Sequence, residues 1–173
     1  MMNIIKTDHL ILRPFRDNDF NDLYEYLSDP VAVQYEPYQP MNQEEVLESL
    51  KWRISTDEMI AVELMSESKL IGNIYLGQRD DNTLELGYVF NLKYARKGYA
   101  YQACQTLIQE AFHRGIQRIL AECDPENIAS WKLLEKLGFK KEAHLIKNIF
   151  FWKDEQGLPI WKDTYIYSLI NID

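Results

Sequence analysis

Residues 84–123, "LELGYVFNLKYARKGYAYQACQTLIQEAFHRGIQRILAEC", change their hydrophobic period twice. Leu84, Leu86, Tyr88 and Phe90 alternate, as a strand requires. From Ala100 the apolar positions recur by three and by one: Ala103, Cys104, Leu107, Ile108 and Ala111. That is the face of an amphipathic helix. Arg114 suits its last turn and Gly115 the position just past its end. "IQRILAEC", residues 116–123, returns to a strand pattern. Strand 83–90, helix 99–114 and strand 117–123 therefore predict a βαβ unit, its strands parallel and its crossover right-handed.

Upstream, residues 59–65 ("MIAVELM") and 69–78 ("KLIGNIYLGQ") also read as strands. Their links, "SES" and "RDDN", are short and polar, so 59–90 predicts an antiparallel meander. Further upstream, "HLILRPF" (9–15) is a strand ended by Pro14. Asp17 opens a helix bearing Phe20, Leu23, Tyr24 and Leu27, and Asp29-Pro30 stops it. Residues 31–41, with two prolines and two tyrosines, read as an irregular loop. Asn42 caps a second helix to about residue 56, with Val46, Leu47, Leu50 and Ile54 on its inner stripe. Downstream, Asn127 caps the helix "NIASWKLLEKLGF", with Ile128, Trp131, Leu134 and Leu137 inward and Gly138 closing it. Strands at about 139–152 and 161–170 follow. The expected class is α+β: one domain over 1–173, with a seven-stranded, mixed, mostly antiparallel sheet flanked by four helices.

Composition narrows the function. The 173 residues are 46% hydrophobic, enough for a core, and no apolar run approaches the about 18 residues of a membrane span. The start "MMNIIKTDHL" lacks a basic, apolar and small-residue leader, so a cytoplasmic protein is expected. A net charge of −8 argues against binding a nucleic-acid backbone and mildly favours cationic substrates. Cys104 and Cys123 read as core thiols. They share no ligand spacing with His9, His113 and His144, so no metal is expected.

The turn "NLKYARKGYA", residues 91–100, is where chemistry enters. Helix N-termini carry unpaired N–H groups and the positive end of a dipole. Gly98 and Ala100 keep that end small, and Arg96 and Lys97 add charge. A phosphate seat is one reading; a solvated basic helix start is the other. Neither common nucleotide-loop pattern, G-x-x-x-x-G-K-[ST] or G-x-G-x-x-G, occurs.

"LELGYVF", "NLKYARKGYA" and "NIASWKLLEKLGF", in this order, resemble the GNAT superfamily of acyl-CoA-dependent N-acyltransferases. "DHLILRPFRDNDFNDLYEYLSDPVAVQY" (8–35) is similar to its RimJ/RimL-like branch, named for ribosomal-protein N-terminal acetyltransferases. The family turn, Q/R-x-x-G-x-G/A, falls on Gly98 and Ala100, with Ala95 in place of the polar first residue. The resemblance implies acetyl-CoA as co-substrate, its diphosphate on main-chain donors around Arg96, Lys97, Gly98, Tyr99 and Ala100. It implies that strands 83–90 and 117–123 splay, and that the pantetheine arm pairs with main chain at Val89 and Phe90. Asn127 and Ser130 match residues facing that arm; as plain readings, Asn127 is an N-cap and Ser130 a first-turn polar residue.

The implied reaction is direct acetyl transfer to an amine that must be neutral to attack. Roughly a quarter of a free α-amine, but only about 0.1% of a lysine side chain, is neutral near pH 7.4. Glu85, with Gly87 on the same strand face, is the expected base, and a main-chain N–H near Val89 the expected oxyanion donor. Many members place a tyrosine seven residues after the asparagine as the acid. Here Leu134 holds that position, leaving Ser130 or solvent. Tyr35, Tyr38, Trp52, Phe151 and Trp152 are candidate walls of the acceptor site. A protein N-terminal amine is the favoured acceptor; an aminoglycoside or polyamine, or a non-catalytic acyl-CoA binder, are the rivals. Monomer and homodimer are both compatible with the sequence.

Overall fold

The computed structural model describes residues 3–172; Met1, Met2 and Asp173, and with them the start of the segment judged not to be a leader, lie outside the described residues. The strands are β1 (Ile5–Lys6), β2 (Leu10–Arg13), β3 (Met59–Leu64), β4 (Lys69–Asp80), β5 (Thr83–Phe90), β6 (Arg118–Cys123), β7 (Lys140–Lys153) and β8 (Pro159–Ile170). The helices are α1 (Phe20–Leu27), α2 (Gln43–Ile54), α3 (Tyr99–His113) and α4 (Ile128–Lys136). The strands form one sheet in the order β1-β2-β3-β4-β5-β6-β8-β7. Only β5 and β6 run parallel.

The sheet has eight strands where the sequence led us to expect seven. The extra one, β1, pairs Ile5 with Leu12 and Lys6 with Ile11. Two residues carry no readable period, so only pairing with β2 reveals them.

Alternation along β5 sets the two sides of the sheet. Leu86, Tyr88 and Phe90 belong with the core under α3 and α4. Val89 and, across the ladder, Tyr75 belong with the core under α1 and α2. On α2 the buried stripe is Val46, Leu50 and Arg53. Leu47 and Ile54, expected inward, are exposed, as is Ile128 at the start of α4. These helices lie at the sheet's margin and bury less than half their circumference. A capping box fixes the start of α2: Asn42 Oδ1 accepts from Glu45 N–H at 3.0 Å and Glu45 Oε2 from Asn42 N–H at 2.8 Å.

One ion cluster ties β2 and β3 to the residue just before α1. Arg13 donates to both carboxylate oxygens of Asp19 (2.8 and 2.7 Å) and to Glu63 (2.5 Å). Arg13 and Asp19 are each 3% exposed, so these charges depend on one another.

Candidate active site

The parallel pair β5–β6 is short. Thr83, Leu84 and Glu85 pair with Arg118, Ile119 and Leu120, and pairing stops there. Beyond that point β5 stays bonded to β4 and β6 to β8, on their outer sides. The two strands therefore part, leaving a wedge with Leu86, Gly87 and Tyr88 on one wall and Ala121, Glu122 and Cys123 on the other.

Ladder parity shows which main-chain groups face the wedge. Asn91 N–H donates to the Ile71 carbonyl on β4, so alternate residues Val89 and Gly87 also turn toward β4. The Asn82 carbonyl accepts from Gln117 and Arg118 on the β6 side. Leu86, Tyr88 and Phe90 share that side and open into the wedge. Of the two positions expected to pair with a pantetheine arm, Phe90 thus faces the gap, whereas Val89 turns its N–H to β4 and packs its side chain in the α1–α2 core.

The turn before α3 is built to leave donors open. Ala95 N–H closes a short 3-10 turn onto the Leu92 carbonyl, and the first bond of α3 runs from Gln102 N–H to the Gly98 carbonyl at 3.0 Å. The N–H groups of residues 96–101 precede that ladder. Arg96 (φ 60°) and Gly98 (φ 82°) are both left-handed, which gathers successive N–H groups into a concave cradle. Gly98 is required for its φ, since an added Cβ would meet nothing within 4 Å. Lys97 lies over the Tyr94 ring at 5.5 Å. Tyr99 and Ala100, the first helical residues, are half-buried. Such a cradle fits a diphosphate.

On the other side, the wedge opens into a cleft of about 290 Å³. Glu85, Gly87, Asn127, Ser130, Tyr35 and Phe151 line it. Glu85 is ion-paired with Arg79 at 2.8 Å, and Arg79 also reaches Glu122 at 3.4 Å. Asn127 caps α4, its Oδ1 accepting from Ser130 N–H at 3.3 Å while the residue borders the cleft. The Tyr35 hydroxyl donates to the Glu126 carbonyl at 3.1 Å, tying loop 28–41 across to the α4 entrance. Three expected walls are not part of this lining. Trp52 is half exposed on α2. Tyr38 packs into the α1–α2 core, where burial raises its phenol well above the usual range. Trp152 is half-buried on β7, and strand alternation separates it from Phe151.

Two titratable groups of this cleft escaped the sequence reading. Glu36, in the loop read only as irregular, lines the cleft beside Tyr35 and Pro37. Burial pushes its carboxyl up to about 7, against the opposing pull of the Arg53 charge. A glutamate between tyrosines and prolines, in "QYEPY", was the available signal. Tyr88 also lines the cleft, and its hydroxyl meets Ser130. With Glu122, Asp124 and Asp163, the lining is strongly acidic; Lys162 answers Asp124 at 2.6 Å. Among the described residues no group of His, Cys, Asp and Glu is placed to hold a metal.

A splayed parallel pair, a donor cradle at a helix start and an acidic cleft agree with a family match: the model of the acetyltransferase (GNAT) domain fits residues 9–140. The chain belongs to the GNAT acetyltransferase family. It is 34% identical over 172 residues, covering 96% of each chain, to the uncharacterized N-acetyltransferase YnaD of Bacillus subtilis (strain 168). The crystal structure of a GNAT-family acetyltransferase from Bacillus anthracis superposes with a TM-score of 0.89 at 31% identity, covering 99% of this chain and 100% of that one. The fold is shared with spermidine N-acetyltransferase from Vibrio cholerae, solved in complex with CoA and spermine (TM-score 0.77, 19% identity, 95% and 97% covered). The chain is thus an N-acetyltransferase, and acetyl-CoA is the acetyl donor of GNAT enzymes.

Proposed function

We propose that this GNAT enzyme acetylates the α-amine at a peptide or protein N-terminus, as in the RimJ/RimL-like branch its first residues resemble. The observation that carries the reading is Glu36, a half-buried carboxyl raised to about 7 in the same cleft as the wedge. A base of that strength can take a proton from an α-ammonium, pKa about 7.7–8.0, at a cost of roughly tenfold or less in equilibrium. From a lysine-like ammonium near 10.4 the same transfer costs more than about a thousandfold. The base and the α-amine are matched.

The co-substrate's diphosphate would rest on the N–H groups of residues 96–101, with Arg96 and Lys97 adding charge. Its extended arm would bond the inward main chain of Tyr88 and Phe90 and pass Asn127. Glu36 accepts the amine proton, the assignment the sequence reading gave to Glu85. Glu85, already engaged by Arg79, supplies a fixed negative charge that orients the incoming ammonium. The oxyanion donor then belongs to an inward-facing N–H of β5, such as that of Tyr88, one residue from the expected Val89.

The acidic lining favours a second acceptor class, a small polycation such as a polyamine or aminoglycoside. Thiol release from acetyl-CoA decides between them. The panel is peptides with free and blocked N-termini, spermidine and an aminoglycoside. Turnover confined to free-N-terminus peptides is expected; turnover confined to spermidine or the aminoglycoside would overturn the peptide reading.

A further inference from the structure

The departing sulfur needs a proton, and Leu134, one turn beyond Ser130 on α4, carries no donor. The cleft nevertheless holds a phenol at the right wall. Tyr88 projects from β5 on the α3–α4 face and crosses to α4. Its hydroxyl donates to the Ser130 carbonyl at 3.0 Å and lies 3.1 Å from Ser130 Oγ. The other phenol of the cleft, Tyr35, is committed to Glu126 at the outer lip. Ser130 and Cys123 line the same cleft.

We infer that Tyr88 and Ser130 form one hydrogen-bond relay serving the leaving sulfur, with Ser130 Oγ touching the sulfur and Tyr88 positioned behind it. As the tetrahedral adduct collapses, the C–S bond breaks and its electron pair stays on sulfur. Ser130 Oγ–H donates a hydrogen bond to that sulfur and Tyr88 Oη–H donates one to Ser130 Oγ; both hydroxyls keep their protons and stabilise the thiolate as it forms. The thiolate then takes a proton from solvent, balancing the one that the amine releases. A half-turn of the Tyr88 hydroxyl, from the Ser130 carbonyl to Ser130 Oγ, arms the relay, and both acceptors are already within bonding distance. Burial raises the Tyr88 phenol far above neutrality, so it holds its proton at any working pH. A serine hydroxyl is too weak an acid to protonate a thiolate outright, and a second hydroxyl donating to its oxygen makes it a stronger hydrogen-bond donor.

The inference rests on acetyl transfer itself and is independent of the acceptor proposed above. The test is a double-mutant cycle of Tyr88→Phe and Ser130→Ala in the full-length enzyme. Thiol release is followed in three arms: a free-N-terminus peptide, spermidine, and water as the only acceptor. Each single variant should lose about 10–100-fold in kcat, the worth of one hydrogen bond to a charged group. The KM for acetyl-CoA and the rise in melting temperature with coenzyme A should stay within about twofold. The double variant should be no worse than the poorer single one, because the groups act as a unit. Multiplying losses, or kcat within twofold of the parent for either variant, would overturn the relay. Ser130→Ala leaves the packing of Tyr88 intact, so the test stands even where Tyr88→Phe folds poorly. An incorrect acceptor proposal would change which arm is fastest, not the ratios within an arm.

Discussion

Glu36→Gln should weaken the enzyme and strengthen the protein at the same time. Glu36 is raised from the model-peptide value of 4.5 to about 7 by burial. The folded state therefore prefers the protonated form. Below pH 4.5 the group is neutral whether the chain is folded or not, and folding carries no penalty from it. Between about 4.5 and 7 the unfolded chain ionises first, and stability falls. Above 7 the folded protein carries a poorly solvated charge. That rise corresponds to about 3 kcal/mol at most. Glutamine keeps the shape and removes the charge. At pH 8 the variant should melt several degrees higher, at roughly 2–4 °C per kcal/mol for a chain of this size. At pH 4 the two proteins should melt together. Activity should move the other way. An α-amine is already partly neutral, so the lost base should cost about a hundredfold in kcat/KM, the low end for general-base catalysis. The inflection near pH 7 in the profile of kcat/KM should vanish. Calorimetry at the two pH values and a profile from pH 5.5 to 9 measure both effects. A variant with unchanged kcat/KM and an intact inflection would refute Glu36 as base. A variant no more stable at pH 8 than the parent would refute its burial.

Other perturbations separate the remaining roles. Glu85→Gln should raise KM for the amine about tenfold with kcat changed less than threefold, since an orienting charge acts on binding; a kcat loss as large as that of Glu36→Gln would return the base to Glu85. Gly98→Ala should cost about 1–2 kcal/mol of strain at a left-handed φ and weaken coenzyme A in a thermal-shift titration, although no clash arises. Arg13→Ala should destabilise the fold by about 3–5 kcal/mol, roughly 10 °C in melting temperature, by leaving Asp19 and Glu63 buried without their cation.

Much of this enzyme was readable along the chain because its signals are local. The period change at residues 84–123 dictated strand, helix and strand, and a helix that carries the chain back lets the two strands pair in parallel. Gly98 marked the turn, since a left-handed backbone selects glycine at one position without help from elsewhere. Asn127 announced itself as a helix cap by its place before an apolar run. What escaped was the product of groups far apart in sequence. β1 exists only because β2 lies beside it. The direction of the Val89 N–H depends on ladder parity, which one bond, Asn91 to Ile71, fixes from across the sheet. Trp52 and Phe151 look alike as aromatic residues, yet only Phe151 reaches the cleft. Glu36 is an ordinary glutamate in its own loop; its proton affinity rises because distant walls strip its water. Tyr88 and Ser130, 42 residues apart, meet because two strands separate and a helix fills the gap. Periodicity and backbone conformation belong to neighbours along the chain, whereas dielectric, proton affinity and hydroxyl contact belong to neighbours in space. The sequence by itself therefore determined the scaffold and the left-handed turn before α3, and only the tertiary structure decided which side chains share a cleft and which lose their water.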